Sequence, residues 1–277
     1  MKSLKMNQFK SIAFSGLIAL AFATTSCSNN IKKMSTANSS HVCDTKCEDH
    51  SLKMQTVSFK KGKVYELAFA DIRPEKMDQL NSEYFPKAMP LMAKYGAKMI
   101  GGFGVVKNES SLLPSNMVAI FEWPTVEARL KLLADAEFKK IVYLRDEALK
   151  EVNLGYFEVA ESKDITFRSD KVYEFGSADL NTDKKSKASL QKYFEVSEPI
   201  KRNYGGTYPE FILNLSAVDS KDQATYVPHM QFIVEWDSLE DNEKLFANVD
   251  FDTKAKPLLM KAISKADFVF TKFSFNQ

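Results

Sequence analysis

Cysteine and histidine are scarce in this sequence, at three each in 277 residues. Five of the six (Cys27, His41, Cys43, Cys47 and His50) fall in the N-terminal segment, so His229 alone lies beyond residue 50. That excludes a disulfide-built scaffold, a Cys-x-x-Cys-His haem attachment and a Ser-His-Asp arrangement with spare histidines. Charge of one sign is also missing. The formal net charge is +2, without the basic surplus of a nucleic-acid binder. No apolar run reaches the roughly 20 residues that span a bilayer. Glycine is sparse, and Gly101-Gly102 and Gly104 are not followed by Gly-Lys-Ser/Thr, so there is no phosphate loop. What remains, 44% apolar and 27% charged, is ordinary for a globular protein.

The first residues read as an address. Lys2, Lys5 and Lys10 form a positive region, and Ile12 to Ala23 is apolar and small, about the length of a signal core. Thr24-Thr25-Ser26-Cys27 closes it and resembles a bacterial lipoprotein signal, in which the chain is cut before a lipid-carrying cysteine. Residues 1–26 are then a signal peptide, Cys27 is lipidated, and 277 − 26 = 251 residues mature. The expected address is the bacterial cell envelope, anchored in the outer membrane and facing the periplasm. Residues 27–62, rich in Ser, Asn, Lys and Thr, read as a flexible tether. His41, Cys43, Cys47 and His50 inside it are ligand types that zinc or copper(I) favours. A Cys43–Cys47 disulfide in an oxidising compartment is the plainer account of the cysteines, so no metal is assigned there.

The rest of the chain is one unit written twice. Tyr84-Phe85, Pro90 and Tyr95-Gly96 return as Tyr193-Phe194, Pro199 and Tyr204-Gly205, an offset of 204 − 95 = 109. Val64-Tyr65-Glu66 returns as Val172-Tyr173-Glu174, Ala70-Asp71 as Ala178-Asp179, and Phe121-Glu122-Trp123 as Val234-Glu235-Trp236. A period this long means two domain-sized units, 63–161 and 170–277, with a polar linker at 162–169.

Residues 63–71 alternate as a strand with one buried face. Residues 75–95 carry a helical stripe, with a kink expected from Pro86 and Pro90, and Gly96 placed to stop the helix. Strands are expected at 97–107, 117–123 and 154–159, and helical segments at 126–134 and 138–150. The second unit repeats this with strands near 171–179, 207–218, 225–236 and 268–275, and helices near 183–204, 239–248 and 254–264. The order is β-α-β-β-α-β, the split unit of ferredoxin-like folds.

The Tyr-Phe-x4-Pro-x4-Tyr-Gly helix end, the strand closing in Glu-Trp and the helix opening just after it resemble the family called domain of unknown function 1330. That resemblance implies an α+β fold of the dimeric α+β barrel superfamily, here with both ferredoxin-like units in one chain, and a monomer containing its own pseudo-dimer. Relatives in that superfamily include cofactor-independent monooxygenases, chlorite-dismutase-like haem proteins and small ring-cleaving enzymes, with sites in a cleft between sheet and helices.

Residues able to line such a cleft are Tyr84, Tyr95, Tyr193, Tyr204, Asp71, Asp179, Glu122, Glu235, Arg145 and His229. Each also has a plain role: tyrosines at helix ends pack with their hydroxyls in water, and the two glutamates accept amide bonds at the next helix start. His229 has no imidazole counterpart in the first unit, and Arg145 corresponds by spacing to Leu258. One histidine is too weak a signal for haem ligation, so no cofactor is expected. The sequence-level expectation is a small, partly apolar ligand in the cleft. An enzyme using Tyr84 or Tyr193 with His229 or Asp71 as acid and base is the alternative, and a scaffold the third.

Overall fold

The computed structural model describes residues 52–203 and 213–274. Cys27, the His41, Cys43, Cys47 and His50 cluster, and Tyr204 lie outside the described residues. Eight strands close into one antiparallel barrel: β2 (Val64–Ile72), β3 (Lys98–Asn108), β4 (Met117–Trp123), β5 (Leu149–Glu158), β7 (Val172–Leu180), β8 (Leu213–Ala217), β9 (Met230–Trp236) and β10 (Ile263–Ser274). Each half is a split unit, ordered β3-β4-β2-β5 and β8-β9-β7-β10. The seams are β5 with β8 and β10 with β3, so the barrel closes within one polypeptide. No helix among the described residues is long and apolar enough to cross a membrane.

Alternation decides which side chains meet where. Tyr65, Leu67 and Phe69 of β2 join the barrel core, while Ala70 and Ile72 join the cluster packed under the helices. The interior is aromatic. Phe103 sits edge-on to Phe175, Phe273 and Phe167 with ring centroids 4.9, 5.0 and 5.2 Å away.

Two segments read as tether and linker are strands. Met54–Phe59 (β1) pairs antiparallel with Lys163–Arg168 (β6). The repeat therefore reaches further back than residue 63: Val57-Ser58-Phe59 matches Ile165-Thr166-Phe167 at 165 − 57 = 108. Val57 pairs directly with Ile165, its own counterpart, so a pseudo-two-fold axis passes between them. Val57, Phe59, Ile165 and Phe167 are buried in the barrel core, and Phe167 stacks flat on Phe273 at 4.8 Å. The apolar face of each short strand explains its order, because it covers a barrel end that would otherwise meet water.

Helices cover the outside of each half. In the first, a 3-10 turn (Pro74–Lys76), a helical turn (Met77–Gln79) and a π-turn (Leu80–Tyr84) lead into α1 (Phe85–Lys94). The second half has one continuous helix, α5 (Lys184–Arg202), and Glu195 where the first has Pro86. Pro86 offers no amide to the carbonyl four residues back, which accounts for the widened turn before it. A second π-turn, Phe251–Ala255, likewise ends two residues before a proline, Pro257. Gly96 stops α1 at φ 80°, with Pro124 too near for any Cβ. The remaining helices are α2 (Val126–Ala134), α3 (Ala136–Lys139), α4 (Val142–Ala148), α6 (Leu239–Phe246) and α7 (Lys256–Ala262). Strands β5 and β10 start five residues earlier than the pattern suggests (154 − 149 and 268 − 263), because their first residues, Leu149 and Ile263, pair with Ile72 and Leu180.

Candidate functional site

Small residues on the outer face of the first half-sheet leave a chamber beneath its helices. Its volume is about 130 Å³, with Ala68, Ala70, Ala119 and Phe121 as the sheet wall. Leu80, Tyr84, Met92, Leu132, Phe138 and Arg145 close it from the helix side. The matching chamber in the second half is only about 50 Å³. The ladders say why. Ala68 pairs with Ala119 in the first half, and Gly176 pairs with Phe232 in the second. The Phe232 ring fills the place of the alanine methyl, and a Cβ on Gly176 would lie 2.0 Å from it. Phe268 in place of Leu154 narrows the space again.

One corner of the first chamber is polar. Glu66, on the outer face of β2, accepts from Arg129 Nε at 2.7 Å, and both residues are buried. Arg129 stacks over Trp123 at 5.4 Å, and Tyr156 lies opposite Glu66 in the ladder. Burial opposes the arginine's charge, but Glu66 and Tyr156 outweigh it, so the net direction is up and Arg129 stays protonated. Burial pushes the Tyr84 and Tyr156 hydroxyls up as well, so both serve as donors rather than bases near neutrality. Arg145 is held by Asp146 through Nε at 2.9 Å and Nη2 at 2.7 Å, and its charge works against the rise at Tyr84.

The second half rebuilds this corner with its cation moved. Glu174 occupies the Glu66 position, but Asn242 stands where Arg129 would be, six residues beyond the tryptophan in each case (129 − 123 and 242 − 236). The charge comes instead from Lys201 on α5, at the position of Met92 (Tyr193 + 8 and Tyr84 + 8). Glu174 accepts from Trp236 Nε1 at 2.8 Å and from Asn242 at 3.4 Å. Lys201 Nζ lies 4.7 Å over the Tyr193 ring. Burial pushes Glu174 up to about 7 and Lys201 down to about 7, while their mutual attraction works against the shift of the lysine.

Of the residues singled out from sequence, Tyr84 and Arg145 meet in the first chamber and Tyr193 lines the second. The others stand elsewhere. Tyr95 donates to Asp135 at 2.7 Å, and Asp135 caps α3 through the amides of Glu137 and Phe138. Hydrogen bonds from Lys94 and Tyr95 hold that carboxyl well below the usual range. Among the described residues Glu122 and Glu235 face Tyr65 and Tyr173, whose hydroxyls donate to them at 3.5 and 3.0 Å, rather than the amides of a helix start. Each tyrosine also accepts the amide of Lys60 or Arg168 and so ties β1 or β6 to the barrel. Asp179 faces His229 Nδ1 at 3.1 Å on a half-exposed strand end. His229 does have a counterpart, Asn116 (229 − 116 = 113), which donates to Asp71 at 3.3 Å. Neither Asp71 nor His229 lines the chamber that holds Tyr84 or the one that holds Tyr193, so neither chamber brings a tyrosine together with His229 or Asp71. The shared helix end at Ala148 and Ala262 makes Leu259, not Leu258, the counterpart of Arg145. No group of three or more His, Cys, Asp or Glu able to hold a metal occurs among the described residues.

Sequence patterns pass over Glu66, Arg129, Glu174 and Lys201. The available signal is the Val-Tyr-Glu repeat, which places a carboxylate on the helix-covered face of an otherwise apolar strand in both halves.

No family model matches the sequence, and no curated protein matches it. Solved structures resemble it to different degrees. An anthrone oxidase-like protein superposes with a TM-score of 0.53 at 16% identity, over 80% of this chain and 95% of that one. A mutant chlorite dismutase from Candidatus Nitrospira defluvii gives 0.47 at 10% identity, over 77% and 92%. A NIPSNAP-like domain protein from Burkholderia xenovorans gives 0.27 at 18% identity, over 35% of this chain and 84% of its own. At 16% identity the likeness to the anthrone oxidase-like protein is one of fold, and it agrees with the strand order: the chain is a dimeric α+β barrel.

Proposed function

We propose that the protein binds a small, partly apolar ligand in the chamber of its first half, while held in the bacterial envelope through Cys27. The observation that carries this is the asymmetry of two chambers built on one plan. The first keeps about 130 Å³ and the second about 50 Å³. A cavity of about 150 Å³ lined by apolar side chains is enough to take up benzene. Simple packing would fill both chambers, since an unfilled one costs stability. The signal-like Ser26-Cys27 end supports the anchor, and the Tyr-Phe, Pro, Tyr-Gly spacing supports placement in the family called domain of unknown function 1330.

The second half supplies the test. Ala68→Gly with Ala119→Phe copies the Gly176–Phe232 pair into the first half and fills its chamber. Calorimetry with a panel of single-ring compounds should show uptake by the native protein and none by the double variant, with both folded by circular dichroism. Equal uptake by the two proteins, or none by either, contradicts the proposal. The fold shared with an anthrone oxidase-like protein supports a second reading, oxidation of the bound ligand without a cofactor, with the Tyr84 hydroxyl as donor. Oxygen consumption on ligand addition, lost in Tyr84→Phe, checks it.

A further inference from the structure

The polar corner of the first chamber holds more donors than acceptors. Its one carboxylate, Glu66, is engaged by Arg129 Nε at 2.7 Å. Arg129 Nη1 is buried at the chamber wall and Trp123 Nε1 is buried beside it, off the lining; neither makes a hydrogen bond among the described residues. Arg145 brings a second guanidinium to the wall, with its Asp146 partner turned toward solvent. In the second half the same corner is better satisfied: Trp236 donates to Glu174, and Phe270 stands opposite that glutamate where the first half has Tyr156. The donor surplus therefore belongs to the half that keeps its chamber.

Buried donors without acceptors call for a partner that brings acceptors. An amide or alcohol offers two lone pairs, whereas a carboxylate offers about four and a charge that guanidinium prefers. Glu66 is buried against Arg129 and neutralises it, whereas the Asp146 paired with Arg145 is exposed and screened by water, so the charge of a bound anion would be balanced by Arg145. We infer that the chamber takes a compact monocarboxylate with an apolar body the size of one ring, its oxygens at Arg129 and its body against Ala119, Met92 and Phe138. The inference rests on the ligand-binding reading above and adds the charge and shape of the ligand.

Benzoate, benzamide and benzyl alcohol have nearly the same shape and differ in charge and acceptor count. Titrated calorimetrically into the full chain near neutral pH and low salt, benzoate should bind roughly ten- to a hundredfold more tightly than benzamide, the worth of one charged hydrogen bond. Glu66→Gln with Arg129→Gln keeps a hydrogen-bonded pair without charge, and in that folded variant the preference should fall by roughly tenfold or more. Equal affinity for benzoate and benzamide would overturn the inference and leave the ligand-binding reading standing, with water as the corner's partner. A benzoate preference that survives in the double variant would overturn the assignment to Arg129. Failure of all three compounds, with the filled-chamber variant behaving identically, would instead remove the ligand-binding reading itself.

Discussion

Glu66 and Glu174 pose the same residue-scale problem, a carboxylate under a helix layer, and the chain solves it twice. The first solution uses Arg129 on α2 and the second Lys201 on α5. Removing a partner strands the other charge, so Arg129→Met should cost about 3–5 kcal/mol in urea unfolding. Arg129→Asn together with Met92→Lys copies the second half and should recover most of that loss. The Glu174–Lys201 pair makes a pH prediction. Glu174 has a raised pKa, so its contribution is present below about 4.5 and is lost as pH rises through about 7. Lys201 has a lowered pKa, so its contribution is present above 10.5 and is lost as pH falls through about 7. Both losses are in force together near pH 7, where stability should pass through a shallow minimum. Glu174→Gln with Lys201→Met should flatten that minimum and gain about 1–3 kcal/mol there, read from thermal melts across pH. Tyr84 and Tyr193 were legible because they recur in a fixed motif. Arg129 was not, since an arginine two residues after Glu127 on a short helix looks like an ordinary solvated position.

At the scale of elements, periodicity carried most of the fold. Strand alternation placed β2, β4 and β7 to within a residue or two, and Gly96 marked a real helix end. The failures share a cause: β1 and β6 are six residues each, β1 between Lys53 and Lys60 and β6 opening on Lys163 and closing on Arg168, and their apolar faces are buried only by covering the barrel end. The two accounts of residues 54–59 differ in a measurable way. A chain shortened to begin at residue 62 should lose about 2–5 kcal/mol, because Val57 and Phe59 leave the core. If these residues were only spacer, the shortened chain would melt like the full one. The π-turn at Leu80–Tyr84 was foreseeable only as a kink, since Pro86 removes a donor without specifying how the turn widens.

At the scale of the whole molecule, two copies of one unit have come to differ inside a closed barrel. Both seams are satisfied within the chain, which leaves no open barrel edge for a second copy among the described residues. Light scattering at micromolar concentration should give the mass of one chain, and a dimer would show that another surface is used. The sequence repeat made the pseudo-symmetry legible but hid the asymmetry that matters, because Ala119 against Phe232 and Ala68 against Gly176 read as ordinary drift along strands. The most direct measurement is a crystal of the protein soaked with iodobenzene and read by the anomalous signal of iodine. The account predicts one iodine per chain, between Ala119 and the Tyr84 helix, and none beside Phe232. Iodine in both chambers, or in neither, would contradict it.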